Sequence, residues 1–196
     1  YLNWANEVYK PTYITQHTLN LTGGSEVGRY LVSFDYLDQP GLVKNTEYQR
    51  YSYRVNTDLN IGKMLKVSSD VTYRHVDRLW PESLGSVQYD VWSMQPTSPV
   101  RYENGDYRLD KQNRNAISLM DLDVVGEDRY NMDVVYGQVK ADFEPIKDLV
   151  FTGMASLNGS WDRRKIHYKN YKYYNETGEL VTQRNNPNSV KDSRNN

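Results

Sequence analysis

The three histidines, His17, His75 and His167, are the first candidates for acid–base or metal chemistry. They fall in three separate stretches of alternating residues. No HExxH or GxSxG pattern accompanies them, and the chain has no cysteine, so zinc-protease, serine-hydrolase and thiolate chemistry lack their signatures. DLDVVGED at 121–128 gathers Asp121, Asp123, Glu127 and Asp128. An Asp at its first and third positions and Gly126 at its sixth are similar to a calcium loop. Val125 stands at the fifth position and Met132 at the twelfth, where such a loop needs oxygen ligands, so the segment reads as a solvated loop. Arg163, Arg164, Lys165, Lys169 and Lys172 are interleaved with tyrosines. Aromatic-plus-basic spacing can serve single-stranded nucleic acid, or it can line the rim of a membrane protein beside anionic lipid. Trp80, Tyr89, Trp92 and Tyr102 offer flat rings that stack on the apolar face of a sugar, or that pack a loop against its surroundings. They are the candidate ligand contacts.

These residues must be positioned by strands. YSYRVNTDLNIGKMLKVSSDVTY (51–73) alternates almost without fault. Tyr53, Val55, Leu59, Val67 and Val71 fall on one side, and Arg54, Asn56, Asp58 and Asp70 on the other, so a hairpin with one apolar and one wet face is predicted. YITQHTLNLTGGSE followed by RYLVSFDYL predicts a second hairpin. Its turn is expected at Gly23 and Gly24, which tolerate positive φ. YNMDVVYGQVKADF, EPIKD and LVFTGMASLNGSW predict a third, with Val139, Phe151 and Leu157 on its apolar side. Residues 79–129 interrupt the pattern with Pro81, Pro96 and Pro99. Val87, Val91 and Met94 sit there at helical spacing behind Ser86, and Asn104-Gly105 marks a tight turn. Loops of such length are usually functional.

With 24 Lys and Arg against 25 Asp and Glu in 196 residues, and a net charge of −1, there is no basic field for nucleic acid. Mean hydropathy is −0.83, and no window supports a membrane-spanning helix. A transmembrane barrel is compatible with these totals, because its strands show only short alternating segments. The chain has 18 Tyr and 4 Trp but only 3 Phe. Tyrosine and tryptophan suit a membrane–water interface, and tyrosine is also a good strand former. Long strands, short turns on one side and long loops on the other match an outer-membrane barrel. On this reading the apolar face meets lipid and the polar face a wet lumen. A soluble β-rich glycan-binding module, with the aromatics as its platform, is the alternative.

The ordered set HTLNLTGGSE, RYLVSFDYLDQPGLVKNTEYQRYSYRVNTDLN and LKVSSDVTYR resembles the start of the barrel in SusC/RagA-type TonB-dependent transporters. NWANEVYKP and QPTSPVRYENGDYR are similar to flanking segments of that family. The resemblance spans roughly residues 4–164 and is densest at 17–60. It implies an all-β fold: antiparallel hairpins forming part of a large transmembrane barrel, here about six to seven strands. It also implies a longer polypeptide with a signal peptide, TonB box and plug, of which this chain is a piece. Residues 1–11 are then a plug-to-barrel junction, 12–78 strands one to four and 79–129 a long extracellular loop. Residues 130–196 are strands five and six and the start of a further extension. The implied function is outer-membrane import of oligosaccharides or peptides without covalent chemistry or cofactor. The implied partners are a SusD-like surface lipoprotein and TonB, the latter contacted through segments outside this sequence.

Overall fold

The computed structural model describes residues 1–184 and 189–195. Residues 185–188 and 196, which belong to the expected segment 130–196, lie outside the described residues. The elements in chain order are α1 (Trp4–Val8), β1 (Thr15–Gly24), β2 (Gly28–Asp38), β3 (Glu47–Ile61), β4 (Leu65–Pro81), α2 (Leu84–Ser93), a 3₁₀ turn (Ser118–Met120), α3 (Leu122–Val125), β5 (Gly126–Ile146), β6 (Leu149–Tyr168), β7 (Tyr171–Tyr174), β8 (Leu180–Arg184) and β9 (Val190–Asn195). Seven strands form one antiparallel sheet in the order β1-β2-β3-β4-β5-β6-β9, and β7 and β8 pair separately. The sheet is a single open layer of hairpins, as the alternation predicts.

The predicted hairpins form with small adjustments. The first turn occupies Ser25–Val27, later than expected, and both glycines belong to β1. Gly23 pairs with Tyr30 across the ladder, and a Cβ there would collide with the Tyr30 ring. Gly23 therefore makes room for an aromatic neighbour and does not itself supply the turn. The other two turns fall where expected, with Gly62 at φ 65° and Asp148 at φ 68°. The Asp148 turn is closed by its amide donating to Glu144 Oε1 at 3.1 Å.

At the opposite end the connections are long, and they hold the one apolar core among the described residues. Trp4 and Val8 of α1, Val43 of the β2–β3 connection, Val87 and Val91 of α2 with Met94 at its C-cap, Ala116 and Met120 pack together. Val87, Val91 and Met94 are the helical series read from the sequence; the helix begins earlier than expected, after Ser83. Residues 1–11, expected as a plug-to-barrel junction, also contribute to this cap. Trp4 Nε1 donates to the Gln95 carbonyl at 3.0 Å, the Leu2 amide donates to Pro96, and Tyr9 bridges to Val43. The long connection itself is shorter than 79–129, because β4 runs to Pro81 and β5 starts at Gly126.

Inside the cap, Asn115 is fully buried and all of its polar capacity is used. Its Nδ2 donates to the Val100 and Arg108 carbonyls at 2.9 and 2.7 Å. Its Oδ1 accepts from the Ile117 and Ser118 amides at 3.1 Å. One side chain thus ties three loop strands together, and its loss would leave buried groups unpaired at about 1–3 kcal/mol each. Gly126 ends α3 at φ 94°, and a Cβ there would be driven into the His167 carbonyl of the neighbouring strand. Gly126→Ala should therefore cost roughly 1–3 kcal/mol, read as a lower urea midpoint for release of the cap. An unchanged midpoint would mean that β5 and β6 do not pack closely at Gly126.

Candidate functional site

The site is a two-faced wall beneath the cap, and strand register builds it. On one face, rows of paired residues run across β1 to β6. One row is Leu21, Val32, Val55, Val71, Gly137 and Leu157; its neighbour is Leu19, Phe34, Tyr53, Tyr73, Val135 and Gly159. Toward the short turns come Leu59, Val67 and Ala141, then Ile61, Leu65, Phe143 and Phe151. Val139 belongs to the same face, in the row of Ser69 and Ala155. All eight residues expected on the apolar side share this face, and nothing in the described chain covers it. Toward the cap it ends in an aromatic row: His17, Tyr36, Tyr51, His75, Asp133 and Trp161. Tyr36 and Tyr51 lie 4.9 Å apart between ring centres. Asp133 accepts from the Tyr73 hydroxyl at 2.6 Å and lies 2.8 Å from His75 Nδ1.

The opposite face is polar and cross-linked. Asp35 accepts from Gln16 Nε2 at 2.6 Å, Thr18 at 2.9 Å and Arg50 at 3.0 Å. Arg54 donates to Asp70 at 2.6 Å, and Ser68 to Asp58 at 2.6 Å. Near the cap, Arg164 grips buried Asp128 through Nε at 2.9 Å and Nη2 at 2.6 Å. Arg78 stands 3.9 Å from the same carboxylate and lies over the Trp80 ring at 3.8 Å. A buried carboxylate is stable only when paired and hydrogen-bonded in this way.

The four candidate ligand aromatics are not brought into one platform. Trp80 ends β4 on the polar face. Tyr89 and Trp92 stand out from α2, 71% and 78% exposed. Tyr102 sits in the 101–107 turn, with Arg108 over its ring at 5.7 Å. The Arg78–Asp128–Arg164 cluster was missed in the sequence, although the two-residue spacing of Arg78 and Trp80 on a strand carried the signal.

The acidic run also disperses. Asp121 caps α3 and accepts from the Tyr107 hydroxyl at 2.7 Å; burial together with that bond pushes the Tyr107 phenol up to about 12. Asp123 pairs with Lys169 at 3.0 Å, and Asp128 turns to Arg164. No cluster of three or more carboxylates or histidines that could hold a metal exists among the described residues. The basic run splits by strand parity: Arg164 joins the polar face, while Arg163 and Lys165 lie on the apolar face beyond Trp161.

No helix is long and apolar enough to cross a membrane, which says nothing of strands. No family model matches the chain. TonB-dependent receptor P26 of Formosa agariphila is 30% identical over 106 residues, covering 54% of this chain and 10% of the receptor. TonB-dependent receptor P3 of the same organism is 33% identical over 69 residues, covering 35% and 7%. The RagAB peptide importer in its closed-closed state superposes with a TM-score of 0.70 at 20% identity, covering 86% of this chain and 20% of the importer chain. A second RagAB peptide transporter structure gives 0.70 at 21%, covering 85% and 20%. The chain thus spans about a tenth of the curated receptors it matches. These relatives are named as receptors and transporters. Sequence and fold agree that the chain resembles part of the barrel of SusC/RagA-type TonB-dependent transporters.

Proposed function

We propose that this chain is a section of wall in a TonB-dependent outer-membrane importer of nutrients, either oligosaccharides or peptides. The observation that carries the reading is the uncovered apolar face. From Ile61 to the aromatic row at Tyr51, about ten residues rise ~3.4 Å each along a strand tilted by ~40°, which gives a height of ~26 Å. The apolar band of an outer-membrane barrel is ~25 Å tall and is flanked by aromatic girdles. A contiguous apolar surface of this size is a liability in water and a requirement in lipid.

On this reading Tyr53, Val55, Leu59, Val67, Val71, Val139, Phe151 and Leu157 face lipid, and the Asp35, Arg54 and Asp70 networks face the lumen. The short turns lie on the periplasmic side and the cap lies outside. Exposed Tyr89 and Trp92 present rings to whatever approaches the cap, and Trp80 presents one to the lumen. A SusD-like surface lipoprotein would deliver substrate at the cap end, and TonB would supply energy through segments beyond this chain. The residues here exclude lipid, hold the lumen open and contact cargo; none forms a covalent bond.

The test is fractionation of native cells with an antibody against residues 82–125. The expected result is a band in the outer membrane much larger than 23.0 kDa, which co-precipitates a surface lipoprotein. A band of this chain's own size in the soluble fraction would overturn the reading in favour of a β-rich glycan-binding module.

A further inference from the structure

Just beyond the aromatic row, the apolar face of the sheet changes character. Arg163 follows Trp161 by two residues on β6, and Lys165 follows by four. Register sets Arg129 of β5 directly beside Lys165, and Arg194 of β9 directly beside Arg163. Strand parity puts all four on the side that carries Trp161, and all four are exposed. They form a compact grid immediately above the girdle.

The carboxylates within the grid only partly balance it. Asp192 accepts both forks of Arg163, at 2.9 and 2.7 Å, and lies 3.6 Å from Arg194. Glu127 stands 3.9 Å from Arg129. Asp133, one row lower, is engaged by Tyr73 and His75. Lys165 has no ion pair among the described residues. Asp77 shares the face in the row of Asn131 and Arg163, so three carboxylates face four cations, and the Lys165, Arg129 and Arg194 side chains stay exposed.

We infer that this grid binds the phosphate of an anionic lipid headgroup in the outer leaflet, seated against Trp161. The inference rests on the membrane reading above and adds a specific ligand class to it. Charge and position both fit. Arginine forks match phosphate oxygens, lysine adds a point charge, and interfacial tryptophan sits at headgroup depth. The acyl chains of such a lipid would lie against Trp161 and Leu157 on the same strand. Arg164, in the middle of the basic run, takes no part, because it points to the other face and is held by Asp128.

The experiment uses a full-length receptor carrying this segment, reconstituted in phosphatidylcholine vesicles with spin-labelled phosphatidic acid or spin-labelled phosphatidylcholine as probe. The preference for phosphatidic acid is compared between the parent, the triple variant Arg129→Gln/Lys165→Gln/Arg194→Gln, and the charge-matched cap control Lys44→Gln/Lys111→Gln/Lys172→Gln. Each basic group near an anionic surface contributes about fivefold, so the triple variant should lose at least about fivefold in preference, the effect of one such group, with the control unchanged. Heat-modifiable gel mobility verifies insertion. A fully inserted triple variant that keeps the parent's preference overturns the lipid site while leaving the importer reading intact. A parent protein that does not enter vesicles overturns both. If the triple variant fails to insert, the single variant Lys165→Gln, which breaks no ion pair, must still lower the preference or the proposal is wrong.

Discussion

An arginine at position 55 should largely abolish membrane assembly, whereas an arginine at position 56 should be tolerated. Val55 lies in the middle of the apolar face, between Val32 and Val71 in its row, and it is exposed to whatever covers that face. A charge at the bilayer midplane of a barrel costs ~2–4 kcal/mol, or roughly thirty- to several-hundred-fold in the folding equilibrium. Asn56 is its sequence neighbour on the polar face, where it accepts from Arg54 Nε at 3.0 Å. Asn56→Arg gives up that bond and adds a cation, but Asp58 and Asp70 are close by on the same face and water is available. The measurement is urea unfolding of the full-length receptor in vesicles, followed by heat-modifiable mobility. Val55→Arg should shift the midpoint strongly downward and Asn56→Arg by a small fraction of that. Equal shifts would mean that the two faces see the same surroundings, and the lipid-facing assignment would fall.

The second large effect is expected in the cap. Trp4 is almost fully buried against α2 and Met120, and its indole N–H satisfies the Gln95 carbonyl. Trp4→Ala removes the largest ring of the one apolar core among the described residues and leaves that carbonyl without its donor. Large-to-small changes of this kind cost ~3–5 kcal/mol. Because α1 has only five residues, it has no stability of its own, so residues 1–11 should come away from the cap. Limited proteolysis with a glutamate-specific protease should then cut after Glu7 at least tenfold faster, while the strands keep their protection. Trp92→Ala is the control. It removes the same side chain from an exposed position on α2, where surface substitutions stay within about 0.5 kcal/mol. Equal protease sensitivity in the two variants would show that α1 is not docked as described. Trp92→Ala also reports on function: weakened cargo or lipoprotein binding with an intact cap would support a contact role for that ring.

Much of the wall was legible in the sequence by itself. A strand puts residues two apart on one face, so the sets Tyr53, Val55, Leu59 and Arg54, Asn56, Asp58 are separable by parity alone. The turns at Gly62 and Asp148 were marked by local chemistry. The same parity rule applied to Arg163, Arg164 and Lys165 would have split that run, but a cluster of like charges invites reading as one patch. The resemblance to SusC/RagA-type transporters was likewise carried by short ordered motifs within and between strands.

The cap was decided by tertiary structure. Its core draws on Trp4, Val43, Val87 and the pair Ala116 and Met120, four segments dozens of residues apart with no common period, so no local pattern announces that they meet. The fate of DLDVVGED was set in the same way. The helical turn from Asp121 and the positive φ of Gly126 send its carboxylates toward Tyr107, Lys169 and Arg164, three partners from two segments distant in sequence. Gly23 looked like a turn residue because glycine is permissive. The ladder instead uses its missing Cβ to admit Tyr30, a partner that only strand register could name. Alternation is a property of one strand and can be read from it. Docking of the loops is a property of several segments at once, and it appears only when the chain has folded.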